Sequence, residues 1–138
     1  MAIPTKLTLE IVTPDRALLR EEVDEVVVPG SQGEFGVLPG HTPFLSTLGL
    51  GEITYRRGAD KHLLTCFWGF CEVLPDRVNV LAEIGERAED IDVERAAAAR
   101  DRAAQRMKQI TDEAGYREAH LQYVRAVTRL AVAERRHR

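Results

Sequence analysis

The chain changes folding regime once, at a sharp boundary: all six of its prolines lie at or before Pro75, and beyond Ile91 an alanine-rich stretch contains none. Proline removes a backbone donor and blocks an interior helical turn, whereas alanine loses no side-chain entropy in a helix, so one kind of secondary structure cannot suit both parts. Upstream of the boundary apolar residues alternate, as in Leu7, Leu9 and Ile11, Val26 and Val28, Ile53 and Tyr55, and Val78, Val80 and Ala82. That period of two belongs to half-buried strands. Turn signals at Thr13-Pro14-Asp15, Pro29-Gly30-Ser31, Pro39-Gly40, Gly49-Leu50-Gly51, Arg57-Gly58-Ala59-Asp60 and Pro75-Asp76 separate them too closely for βαβ units. The expected class is α+β, with an antiparallel β-sandwich over residues 1–88 followed by an α-helical hairpin over residues 89–138.

Within the second part Asp92 is placed to cap a helix, with Glu94 complementing its positive end. Gly115 offers a break after Ile110-Thr111-Asp112-Glu113, and Tyr116 to Arg135 returns to helical spacing. The seam is expected to draw on Val93, Ala96 or Ala97, Ala103 or Ala104, Met107 and Ile110 from the first helix, and on Leu121, Val124, Val127, Leu130 and Ala131 from the second. Replacing a leucine-sized knob by alanine forfeits about 1 to 2 kcal/mol of apolar burial at each position. The hairpin is therefore expected to be marginal.

With 138 residues, 44% hydrophobic and 30% charged, the chain suits one or two small soluble domains. No stretch approaches the eighteen apolar residues of a membrane span, and Met1 to Glu10 lacks the build of a secretory signal, so residence in the cytoplasm is expected. Residues 1–90 hold 8 Lys/Arg against 15 Asp/Glu, a net of −7, while residues 91–138 hold 11 against 7, a net of +4. The acidic part argues against nucleic acid as a ligand. The basic part is mostly arginine, whose planar fork suits carboxylates and phosphates. Chemistry-bearing patterns are lacking: there is no G-x-x-x-x-G-K-[ST] loop and no G-x-S-x-G elbow, and Gly30 to Gly36 has no lysine. His41, His62, His120 and His137 show no metal spacing, and Cys66 and Cys71 read as small core hydrophobes. Glu21-Glu22 and Asp24-Glu25 read as a turn entrance and an exposed sheet edge. Neither a catalytic nor a metal-binding residue is expected.

Gly33-Glu34-Phe35-Gly36-Val37-Leu38-Pro39-Gly40-His41-Thr42-Pro43 sets an apolar run among three glycines and two prolines, and a rigid double turn is expected of it. Its spelling resembles the G-E-x-G-x-x-P-G-H-x-P signature of epsilon subunits of the bacterial F-type ATP synthase at every fixed position. A second segment, Ile91-Asp92-Val93-Glu94-Arg95-Ala96, is similar to the I/L-D-x-x-R-A motif of family members that bind ATP. By itself the Asp92/Arg95 pair is a weak signal, which an i, i+3 salt bridge along an exposed helix accounts for. The chain departs from the family at Leu50, where proline is usual, and at Trp68, where glycine is common.

The resemblance implies a non-catalytic central-stalk subunit that couples proton-driven rotation to the catalytic head. It implies ATP as a regulatory ligand rather than a substrate, held by Glu86, Ile91, Asp92, Arg95, Ala96, Arg102, Arg125 and Arg129. It also implies contact with the gamma subunit and the c-ring through Glu34, Phe35, Gly36, Val37 and His41, and with alpha and beta subunits when the helices extend to block hydrolysis. The implied location is the cytoplasmic face of the inner membrane, peripheral and without a lipid span. The bottom-up alternative is a free-standing adaptor whose hairpin docks another acidic protein.

Overall fold

A computed structural model describes residues 3–136, so His137 lies outside the described residues. The chain forms two compact units that divide between Arg87 and Ala88. The first comprises β1 (Leu7–Val12), β2 (Ala17–Val23), β3 (Glu25–Gly30), β4 (Gly33–Val37), β5 (Phe44–Arg57), β6 (Asp60–Leu74) and β7 (Arg77–Arg87). They hydrogen-bond in the order β2-β1-β7-β6-β5-β3-β4. Every pairing is antiparallel except β1 with β7, where Leu9 stands beside Val78 and Ile11 beside Val80. All seven strands contribute to one core, in which Leu7, Leu9, Val26, Val28, Ile53 and Val78 are fully buried.

A flat sheet of seven strands has no inside, and the sequence shows how this one acquires it. Along β5 the core residues are Leu48, then Ile53 and Tyr55; along β6 they are Leu64 and Cys66, then Cys71 and Val73. In both strands the buried parity switches. Because successive side chains point to opposite faces, such a switch carries a strand from one layer to the other. On β6 it coincides with Trp68 at φ 62° and Gly69 at φ 135°. A side chain at Gly69 would place its Cβ 1.9 Å from the Leu81 carbonyl oxygen, so only glycine fits there. Trp68 holds a left-handed conformation that costs a non-glycine residue about 1 kcal/mol or more. Opposite it, Gly49-Leu50-Gly51 bends inside β5 and is not a turn between strands, because Leu48 and Leu50 keep their pairing with Gly69 and Phe67.

Two further expectations change. The glycine-rich motif is a double turn only in its second half: Gly33–Val37 is strand β4, paired with β3, and the turn follows at Pro39-Gly40, where the His41 amide donates to the Leu38 carbonyl at 3.1 Å. Glu21 and Glu22 do lie on an edge strand, but Glu25 opens β3, which is paired on both sides. Asp24 is structural. Its carboxylate accepts from the Gly58 amide at 2.7 Å and pairs with Lys6 and Arg56. The Gly58 amide, together with Lys6, holds its carboxyl below the ordinary value of 3.8. Cys66 and Cys71 are free and buried in the core, and burial pushes each thiol up to about 12.

The second unit begins with a 3₁₀ turn at Ala88–Asp90, followed by α1 (Val93–Gln109) and α2 (Glu113–Arg135). Asp92 caps α1, accepting from the Arg95 amide at 3.0 Å. The break falls earlier than expected. Asp112 caps α2 through the Gly115 amide at 2.8 Å, so Gly115 lies in the first turn of the helix. It is glycine for space, since a Cβ would come within 2.9 Å of the Ile110 side chain and 3.0 Å of the Asp112 carboxylate. The seam is narrower than its larger side chains suggest: Ala96 and Ala103 on α1, and Ala119, Ala126, Val132 and Ala133 on α2, are the buried positions. Val93 and Val127, expected in the seam, are 51% and 38% exposed. Met107, Ile110, Leu121, Val124 and Leu130 are half-buried. Alanines repeating every seventh residue let two helices approach closely, and bulkier neighbours are displaced to the flanks.

Three outcomes are expected. Gly69→Ala forces a Cβ into the β7 backbone and should cost about 3 kcal/mol or more in denaturant unfolding. Asp24 stabilises the folded state fully above its unfolded value and loses that contribution as pH falls below about 4, so Asp24→Asn should flatten the acid limb of the stability curve. Asp92→Ala should lower hairpin stability by about 1 kcal/mol with no nucleotide present, and hydrogen exchange should show faster exchange in α1 while β3 and β7 are unchanged.

Candidate functional site

The alanines that bring α1 and α2 together also decide what stands beside the seam. Ala99, Arg102, Ala103, Arg106, Gln122, Arg125 and Arg129 line a groove of about 380 Å³ between the two helices. Arg102 and Arg106 are one turn apart on α1, as Arg125 and Arg129 are on α2, so each helix presents two guanidinium groups to the same space. Alanine methyls leave the floor open. No carboxylate is among the lining residues. Arg106 Nη1 donates to Gln122 Oε1 at 2.6 Å across the helices.

Three of the four arginines named from the sequence, Arg102, Arg125 and Arg129, come together here, whereas Arg95 is exposed in the first turn of α1 and does not line the groove. Arg106 was missed. Its signal is the same one-turn spacing that singled out Arg125 and Arg129. Ile91 and Ala96 are buried, and Asp92 is engaged at the helix start. Glu86 lies on β7 in the first unit, where its carboxylate accepts from Thr65 Oγ1 at 3.3 Å.

The glycine-rich motif has its own arrangement on the sandwich. Glu34 and Gly36 are exposed on β4, which closes one edge of the sheet. Phe35 packs edge-to-face on Phe44, with ring centroids 5.2 Å apart. Val37 is fully buried in the core, so it fixes the strand and presents nothing to a partner. His41 is half-buried, with Nδ1 2.6 Å from the Thr42 carbonyl oxygen, which selects the tautomer protonated at Nδ1. The exposed apolar residues here are Leu38, Phe44 and Leu45, at 54%, 45% and 72%. Their signal was Phe44-Leu45 directly after the second proline. A second apolar patch is the exposed cross-strand pair of Phe70 and Leu81 beside Val12 and Pro14.

Comparison with known proteins agrees with both halves. Residues 6–88 match the ATP synthase delta/epsilon chain β-sandwich domain, and residues 89–134 match the long α-helix domain of the same chains. The ATP synthase epsilon chain of Syntrophobacter fumaroxidans is 50% identical over 130 residues, covering 94% of this chain and 97% of the relative. That of Solibacter usitatus is 46% identical over 134 residues, covering 97% and 100%. A chain in the cryo-EM structure of the Euglena gracilis mitochondrial ATP synthase, described as OSCP/F1/c-ring, superposes with a TM-score of 0.82 at 25% identity, covering 95% of this chain and 83% of that one. The fold also recurs in a central stalk and c-ring structure from Tetrahymena thermophila, with a TM-score of 0.59 at 13% identity, covering 96% and 99%. A sandwich and a two-helix unit matched in order along almost the whole length, by relatives sharing half its residues, establish that the chain belongs to the ATP synthase delta/epsilon chain family, as a non-catalytic epsilon-type subunit.

Proposed function

We propose that this chain is a rotor-stalk subunit of the proton-translocating ATP synthase, that its sandwich docks the gamma subunit and the polar loops of the c-ring, and that its hairpin senses ATP. The observation that carries the nucleotide part is the groove between α1 and α2, lined by four arginines and no carboxylate. Guanidinium forks bind phosphate oxygens in pairs, so a triphosphate laid along this groove gains charge-assisted hydrogen bonds from both helices at once. ATP then tightens a hairpin whose own seam is mostly alanine. The groove's lining offers neither carboxylate nor histidine to activate a water, so the bound nucleotide is retained and not split.

Docking uses the exposed apolar residues. Leu38, Phe44 and Leu45, with Glu34 beside them, suit a partner that buries apolar surface next to polar loops, and the Phe70 and Leu81 pair offers a second contact. Alpha and beta subunits receive the helices when these open and extend, and hydrolysis is then restrained. A ligand that binds only the folded hairpin shifts this balance by RT ln(1 + [L]/Kd), about 1.4 kcal/mol when ATP is tenfold above Kd. That is enough to make a marginal hairpin a brake applied when ATP falls. The chain works at the cytoplasmic face of the inner membrane; none of its described helices is long and apolar enough to cross it. Family membership replaces the free-standing adaptor reading.

Calorimetry of the isolated chain should detect ATP binding at millimolar concentration or below, and Arg125→Ala should weaken it about tenfold or more. Absence of binding, or indifference to Arg125→Ala, would refute the sensor while leaving the stalk role intact. Leu45→Asp should reduce co-purification with gamma and the c-ring from an otherwise intact complex without unfolding the sandwich, because Leu45 is already 72% exposed. Val37→Asp, in contrast, should unfold it.

A further inference from the structure

We infer that the 3₁₀ turn at Ala88–Asp90, with Ile91 after it, is a clasp that closes over the free end of α2 and locks the hairpin shut, a device that needs no nucleotide. The alanine repeat sets the register. Ala103 and Ala96 on α1 run antiparallel to Ala119 and Ala126 on α2, and one heptad further along α2 stands Ala133. One heptad back from Ala96 is Glu89, where α1 has not yet begun and the 3₁₀ turn stands in its place. That turn packs against α2. It is closed by the Ile91 amide, which donates to the Ala88 carbonyl at 3.3 Å.

The apolar weight of the hairpin lies at this end. Among the described residues of the second unit, Ile91 and Val132 are the only buried side chains larger than alanine, and Ala88 and Ala133 are buried with them. Val132 is 0% exposed, yet it stands about 100° round the helix from Ala133 and so lies off the alanine line of the seam. A turn lying across the end of α2 accounts for this burial, whereas α1 alone does not. The clasp is made from the chain that leaves β7, whose last residue, Arg87, is pinned by a 2.8 Å bond from its guanidinium to the Leu18 carbonyl. Freeing α2 and rearranging this junction are then one event. Without the clasp only the alanine seam holds the helices, and that seam is thin.

Hydrogen exchange of the full chain, with no nucleotide present, tests the clasp. Val132→Ala should raise exchange about tenfold or more along both helices, including Ala96 to Ala103 and the amides next to the α1–α2 turn, while β3 and β7 keep their protection. Alanine is a better helix former than valine, so the local preference of α2 opposes this loss and cannot mimic it. Ile91→Ala should act alike, Ile91→Val should keep most of the protection, and the double variant Ile91→Ala with Val132→Ala should fall well short of the product of the two single effects. Faster exchange confined to the last turn of α2 in Val132→Ala, or slower exchange there, would overturn the lock. Single effects that multiply in full would overturn the burial of Ile91 and Val132 against one another. Loss of protection reaching β3 and β7 would overturn a device confined to the second unit.

Discussion

Burial of alanine side chains along the α1 and α2 seam is the interaction on which the helical unit depends. Ala96 and Ala103 on one helix, and Ala119, Ala126 and Ala133 on the other, recur every seventh residue and bring the backbones close. Close approach has two consequences that cannot be separated. It sets Arg102 and Arg106 opposite Arg125 and Arg129 across a narrow groove, and it leaves little apolar surface to hold them there. Larger knobs would strengthen the hairpin and spread the arginines apart. A strong seam and a convergent cationic groove are therefore competing designs, and this chain has the second.

The sandwich answers the opposite demand. Its core draws on every strand, and its shape depends on one point where the backbone is forced: the Trp68-Gly69 step, with Gly69 pressed against the Leu81 carbonyl. There β6 changes layer, and β5 changes with it at Gly49-Leu50-Gly51. The strain carried by Trp68 is tolerated because the surrounding ladder fixes the chain on both sides, with Phe67 opposite Ile84 and Gly69 opposite Ala82. A unit so restrained is stiff, whereas the hairpin is held by a seam of alanines.

How far the sequence disclosed this depended on whether a local rule had a competitor. The alternation of Leu7, Leu9 and Ile11, or of Val78, Val80 and Ala82, named core residues correctly because no other role for them was available. Gly49-Leu50-Gly51 misled because glycine pairs mark turns and strand bends alike, and only the pairing of β5 with β6 decides between them. Gly115 misled in the same way. As a breaker it belonged between helices, but it lies in the first turn of α2, where a Cβ would crowd the Ile110 side chain and the Asp112 cap. Val93 and Val127 were assigned to the seam for their hydrophobicity, while the backbone chose alanines for their size. In the groove, motif resemblance found Arg102, Arg125 and Arg129 yet passed over Arg106, whose partner Gln122 lies on the other helix and shares no local pattern with it.

The motif residues Ile91, Asp92 and Ala96 show what a sequence signature contributes to the fold. Ile91 and Ala96 are buried, and Asp92 closes the first turn of α1 through the Arg95 amide. These are tasks of building a helix start. The arginine groove lies one and more turns downstream, where the lining is alanine, glutamine and guanidinium. A helix whose first turn frays cannot hold later side chains in register, so the motif acts on the groove through the helix it nucleates. Loss of the cap lowers the population of the folded hairpin, and the affinity of any ligand specific to the folded hairpin would fall with that population. A ligand's dependence on Asp92 is then a measure of how marginal the hairpin is.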